Sequence, residues 1–369
     1  MIPVPQALRR YPWALIATLV FIAGFGMLVL YSAAGGSFTP WALTHGMRFA
    51  MFMTMAMIIG YFIPLDLMAK LVFAGYAVIA VLLLGVEVAG AVRGGSQRWL
   101  NIGFMNLQPS ELMKVAIVLA LARFYSLLPP GETPRVRALW PALVLIGIPA
   151  ALVMLQPDLG TALSIVASGV VVMFLAGLPL WWFVSVGVAG IAALPVLFSF
   201  LHDYQQKRVL IFLNPEEDPL GAGYHITQSK IAIGSGGLDG KGFLNGSQSH
   251  LDYLPEGHTD FIFATMAEEW GLIGGLALGV AYFLLLRWAT RVALGASTRF
   301  GQLTAAGLTM TIFFYIAINL MMVMGLAPVV GIPLPLFSHG GSSMLTIMLC
   351  VGIILAIQRD RSGARRPFG

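Results

Sequence analysis

The stretch HLDYLPEGHTDFIF, residues 250–263, gathers Asp252, Glu256, His258 and Asp260 immediately before an apolar run, in a chain where only 10% of residues are charged. A solvated loop would explain such a cluster without any chemistry. Its oxygens could instead share a hard divalent cation, Mg or Mn, with substrate phosphates, since such ions need few protein ligands. Zinc held by protein alone does not fit: His225, His250 and His258 are too far apart for a helical motif, and no cysteine accompanies them. Two further sets of ionisable residues stand at or inside apolar segments. Glu111 and Lys114, three apart, fall on one helix face as a candidate ion pair. Glu268 and Glu269 lie about 12 Å into the run that opens near Asp260 and point about 100° apart, so at least one of them is expected to face the protein interior. Ionisable side chains are costly in a bilayer and commonly mark a functional cavity there.

The elements that must position these groups are membrane helices. Hydrophobic residues make up 58% of the 369, the mean hydropathy is +0.86, and apolar stretches near 20 residues recur along the chain, each enough to cross a bilayer. The expected fold is an all-α polytopic membrane protein, one domain over 1–369. Its ten transmembrane helices are expected near 13–33, 46–64, 70–91, 109–128, 138–155, 159–177, 180–201, 260–286, 303–325 and 342–357. The first follows Arg9 and Arg10, is longer than a signal-peptide core and precedes no small-residue cleavage site, so it reads as a retained helix. With the N-terminus inside, 13 basic residues fall in inner segments against Arg48, Arg93 and Arg98 in the short outer loops, which puts both termini inside. The one long connection, 202–259 between helices 7 and 8, is then outside. With Asp260 it carries eight of the 16 carboxylates and four of the six histidines. Long connections that persist in a compact protein tend to be functional.

The spans that run from outside to inside open with polar motifs: QPSELMK at 108, QPDLG at 156, HTD at 258 and SHGGSS at 338. Helix capping accounts for much of this, because Pro suits a first turn and Ser, Thr or Asp satisfies orphan amides. Four helix N-termini at one surface would also place four positive dipole ends there, a setting that suits an anionic head group such as a lipid diphosphate. The inner halves of the spans carry few ionisable residues beyond Arg123. That favours chemistry at the outer surface over ion-coupled transport, which relies on midplane carboxylates. The stretch GSGGLDGKG, 234–242, is not a phosphate loop: Ser235 stands in place of the first glycine and Gly242 in place of the Ser or Thr. Nor does it make a dinucleotide fingerprint, since Asp239 replaces the last glycine; a flexible or tightly turned loop is the expected reading. The single cysteine, Cys350, sits in the last apolar run and reads as a small buried hydrophobe. A net charge of +5 without a dense basic run gives no reason to expect a nucleic-acid partner.

Residues 212–271, together with RWLNIG at 98, QPSELMK at 108, QPDLGTA at 156 and GIPLPLFSHGGSS at 331, resemble the shape, elongation, division and sporulation (SEDS) family over the whole chain. GYHITQSK and GKGFLNGSQSHLDYLPE point to its elongation branch rather than its division branch. Two departures are His339, where the family often has an aromatic residue, and Gly257, where a larger residue is common; both touch the mouth of the implied site. The resemblance implies a peptidoglycan glycosyltransferase of the bacterial inner membrane that polymerises lipid II into a nascent glycan strand on the outer face. A class B penicillin-binding protein and the elongation machinery are the implied partners. The family's essential aspartate maps onto Asp260, and its Glu and Lys onto Glu111 and Lys114. Glycan polymerisation needs one base to take a proton from a sugar 4-hydroxyl, and Asp260 can serve. The diphosphate leaves as a stabilised anion, so cations suffice on the leaving side: Lys114, Arg98 and Arg208 are candidates, with Glu256 and His258 as further substrate contacts. A lipid II translocator and a non-catalytic scaffold for a transpeptidase are the competing readings.

Overall fold

Each expected apolar stretch is occupied by a long helix. The computed structural model describes residues 12–364 apart from 90, 94–95, 102, 104–105, 130, 134–135, 157, 200–205, 207–209, 212–213, 215–220, 251–252 and 255. Arg208 and Asp252 therefore lie outside the described residues. In chain order the helices are α1 (Trp13–Ala33), α2 (Ala42–Phe62), α3 (Leu65–Ala89), α4 (Pro109–Leu127), α5 (Val136–Leu155), α6 (Leu159–Leu175) and α7 (Leu180–Ser199). There follow α8 (Ala222–Gly236), the single turn α9 (Ser247–His250), α10 (Ile262–Gly295), α11 (Arg299–Val323) and α12 (Gly341–Ala364). Among the described residues seven helices are long and apolar enough to cross a membrane: α1, α2, α3, α5, α10, α11 and α12. Two of the others, α4 and α6, fall short for local reasons. Glu111, Lys114 and Arg123 lower the hydropathy of α4, and α6 has only 17 residues.

The placement of α4 explains how it tolerates charge. It packs against α3, α5, α6, α11 and α12, and both Glu111 and Lys114 are buried among these neighbours rather than turned to lipid. Alongside it, α12 lies close against α2. Glycines permit the approach: a Cβ on Gly60 would fall 2.7 Å from the Leu355 side chain, and one on Gly352 would fall 3.0 Å from the Ala56 carbonyl oxygen. Small residues at helix crossings are the usual means of close packing where no hydrophobic effect drives helices together.

Three features go beyond the expected pattern. A small antiparallel sheet, β1 (Ala91–Arg93), β2 (Ser96–Asn101) and β3 (Asn106–Leu107), fills the connection between α3 and α4. It holds Arg98 and Trp99 over the start of α4. Second, the described part of the long connection is ordered by α8, which packs on α10 and α11. Third, the helix expected at 260–286 runs on to Gly295 and contains a break at Gly271, whose φ of 58° and ψ of −156° are not helical. Hydropathy ended the expectation at Arg287, whereas backbone hydrogen bonding carries the helix past Arg287 and Arg291.

Candidate active site

The starts of α4, α6, α10 and α12 converge on one cavity of about 670 Å³. Arg98, Glu111, Asp158, Glu256, Asp260 and His339 are among its lining residues. At the head of α4, Pro109 occupies the first turn, where a missing N–H costs nothing, and Glu111 follows in the favourable field of the helix N-terminus. Lys114 Nζ donates to Glu111 Oε1 at 2.6 Å, with the two side chains only 1% and 8% exposed. The Tyr315 hydroxyl donates to the other Glu111 oxygen, and the ammonium lies 4.1 Å from the centroid of the same tyrosine ring. Lys114 is thus one layer below the cavity wall and meets it through Glu111.

Across the cavity, Asp158 caps α6, accepting from the Thr161 amide at 3.1 Å and the Thr161 hydroxyl at 2.9 Å. It also accepts from Gln108 Nε2 at 3.2 Å and pairs with Arg98 Nη1 at 3.4 Å. Arg98 Nε in turn donates to the Gln156 carbonyl at 2.8 Å, so the guanidinium is aimed from two directions. Asp260 stands at the head of α10. Its backbone carbonyl accepts from Asn319 Nδ2 at 2.8 Å, and the same amide group donates to the Ile332 carbonyl at 2.8 Å. Asn319 therefore ties the aspartate's turn to the segment before α12. In that segment Gly331 has φ +78°, which favours glycine, and a Cβ there would lie 3.5 Å from Asp260 Oδ2. Glu256, with φ 59°, accepts from the Thr259 hydroxyl at 2.5 Å.

His258 is stacked on Trp41, with ring centroids 4.1 Å apart and planes 10° from parallel. Its carbonyl accepts from the His339 amide at 3.1 Å. His339 Nε2 lies 3.0 Å from the Thr44 hydroxyl and 3.3 Å from Arg48 Nη1. Because a guanidinium can only donate, Nε2 accepts and the ring is neutral. Burial, then the charge of Arg48 and the nearby His45 and His258, push the His339 pKa down to about 4; burial also holds His258 below its ordinary value, against the raising effect of Glu256. Both shifts are depressions of a base. Folding stability is therefore full above about pH 6.5 and falls as pH drops toward the folded value, because the unfolded chain binds the extra protons. Thermal unfolding in detergent is expected to show a lower Tm at pH 5 than at pH 7. His339→Phe should flatten that dependence, and an unchanged slope would show that His339 does not titrate in this way.

The structure thus brings together Glu111, Asp260, Glu256 and Arg98, sets Lys114 beneath them and His258 beside His339 at the rim. Asp158, Tyr315 and Asn319 had no expected part in the site. The motif QPDLG marked Asp158 only as a cap. Tyr315 and Asn319 are polar side chains four apart in an apolar run, the one signal that they share an inward face.

The sequence matches the cell cycle protein family FtsW/RodA/SpoVE over residues 12–363. The chain belongs to this family. Among FtsW/RodA/SpoVE relatives, the peptidoglycan glycosyltransferase MrdB of Escherichia coli (strain K12) is 49% identical over 290 residues, covering 78% of this chain and 77% of that one. Stage V sporulation protein E of Bacillus subtilis (strain 168) is 40% identical over 289 residues, 78% of each chain. In three dimensions the fold aligns with a chain of a peptidoglycan synthase complex in which polymerization and crosslinking are coordinated, with a TM-score of 0.82 and 32% identity over 95% of this chain and 98% of that one. The rod shape determining protein RodA of Thermus thermophilus aligns with a TM-score of 0.72 and 29% identity, covering 97% and 99%. The FtsW/RodA/SpoVE membership agrees with the resemblance that the motifs carry, and with a polytopic helical membrane fold.

Proposed function

We propose that this chain polymerises glycan strands from lipid II, with Asp260 as the general base. In class it is a peptidoglycan glycosyltransferase, the activity named for its MrdB relatives. The observation that carries the finer reading is the shared cavity, which Asp260 and Glu111 line from the starts of membrane helices and Arg98 from β2. In the proposed step Asp260 takes the proton of a sugar 4-hydroxyl as that oxygen bonds to the anomeric carbon of a diphosphate-linked sugar. The bond from that carbon to the diphosphate breaks, and the lipid diphosphate departs with the electron pair. Its charge is already delocalised, so no acid is needed; Arg98 and the α4, α6 and α12 N-termini supply electrostatic stabilisation. Arg208 and Lys114 are further proposed cations, the latter acting through Glu111, and Glu256 and His258 further substrate contacts. Among the described residues no group of three or more His, Cys, Asp or Glu is placed to hold a metal ion. A divalent cation in the cavity would therefore take most of its ligands from phosphate and water.

The proposed setting is the bacterial inner membrane, with ten spans, both termini cytoplasmic and the cavity on the extracytoplasmic side, which is where basic residues are sparse. A class B penicillin-binding protein is the proposed partner within the elongation machinery; the likeness to a chain of a peptidoglycan synthase complex supports this. The test is purified chain incubated with lipid II, alone and with its co-purified cognate transpeptidase. Glycan strands are expected, in greater amount with the partner. Transbilayer movement of lipid II without strands would make the chain a translocator, and neither would make it a scaffold. Absence of both complex and activation would remove the transpeptidase from the reading.

A further inference from the structure

The glycine-rich segment that is neither a phosphate loop nor a dinucleotide fingerprint enters the break in α10. At Gly271 the helix divides into an outer piece, 262–270, which follows directly from Asp260, and the long inner piece that continues to Gly295. A broken helix leaves carbonyls without partners at the end of one piece and amides without partners at the start of the next. Here the segment satisfies both. The Lys241 and Gly242 amides donate to the Glu268 and Glu269 carbonyls at 2.9 and 3.0 Å. The Leu272 and Ile273 amides donate to the Gly237 and Leu238 carbonyls at 3.0 and 3.2 Å. Only glycine allows backbone so close: a Cβ on Gly236 would fall 1.9 Å from the Ala267 carbonyl oxygen, and one on Gly240 would fall 2.1 Å from that of Glu269.

Side chains complete the attachment. Glu268 is fully buried, and it accepts from Lys241 Nζ at 2.6 Å, from the Ser247 hydroxyl at 3.0 Å and from the Gln248 amide at 3.0 Å. Its neighbour Glu269 accepts from the Ser32 hydroxyl of α1. The outer piece is thereby fastened to the loop on one side and to α1 on another, while its covalent continuation runs through a non-helical glycine.

We infer that residues 236–242, with the Lys241–Glu268 ion pair, form a splint that sets the direction of the outer piece of α10 and so holds Asp260 at the cavity. Lys241 is a positioning residue: it acts on the reaction only through Glu268. The inference rests on the proposed role of Asp260, and its test has one arm that does not. Hydrogen–deuterium exchange of the full chain in detergent should show faster exchange over 262–270 in Lys241→Met, with 303–323 unchanged. Polymerisation of lipid II by the same variant should lose about 10- to 100-fold in kcat, the scale of a misplacement near 1 Å, with KM within about twofold of the parent. Lys241→Met/Glu268→Gln, which leaves no orphaned charge, should lose about as much as Lys241→Met alone and no more, because the two side chains act as one attachment, and it serves as the comparison if the single variant does not fold. Unchanged exchange over 262–270, a loss in KM in place of kcat, or a double variant as poor as the product of the singles would overturn the splint. Parent protein without polymerase activity would count against the proposed function instead, with the exchange arm still deciding the splint.

Discussion

Asp260→Asn is expected to lower lipid II polymerisation about 10²- to 10⁴-fold, the usual worth of general-base assistance, while the variant still folds and binds lipid II. Asparagine keeps the shape of the side chain and can hydrogen-bond a sugar hydroxyl, but it does not accept the proton. The loss should therefore appear in single-turnover chemistry and not in the affinity for lipid II. The carboxylates at the cavity differ in the contacts that place them. Asp158 is occupied in capping α6 and aiming Arg98, Glu111 in its contacts with Lys114 and Tyr315, and Glu256 in accepting from Thr259. Asp260 has its main chain held by Asn319 and its carboxylate beside Gly331, at the cavity. Glu256→Gln should retain measurable activity. A near-parent rate in Asp260→Asn, or a dead Glu256→Gln, would move the base to a different carboxylate.

Lys114→Met should cost both stability and turnover. The Lys114 side chain is 1% exposed, and its removal leaves the Glu111 carboxylate buried with Tyr315 as its remaining side-chain donor among the described residues. Breaking a buried ion pair from one side typically costs about 3–5 kcal/mol, mostly the penalty of the charge left behind. A clear fall in Tm in detergent is expected. Glu111→Gln/Lys114→Met, which leaves no orphaned charge, should regain most of it. Turnover measured in that stable double variant then isolates the role in the reaction: it should remain well below the parent, because the cavity has lost the carboxylate that the lysine holds in place. Parent-like activity in the double variant would reduce the pair to a packing element.

The sequence by itself determined the membrane fold, the helix positions, the concentration of polar groups at one set of helix starts and the facing of Glu111 toward Lys114. Each is a local property: hydropathy over a window, the cost of a charge in a bilayer, and a three-residue spacing that places two side chains on one face. The motifs carried the family. Only the tertiary structure decided that Asp158 lines the same cavity as Asp260, that Asn319 holds the Asp260 turn against the segment before α12, that Lys114 lies under the cavity wall, and that the glycine-rich segment is a splint. The physical reason is separation along the chain. Arg98 meets Asp158 across 60 positions and Lys241 meets Glu268 across 27, and no local period encodes a contact of that kind. Gly271 shows the limit most clearly. Within one apolar run it reads as a tolerated helix glycine, and the break there is stable because the backbone of residues 237–242 supplies the hydrogen bonds that the helix gives up.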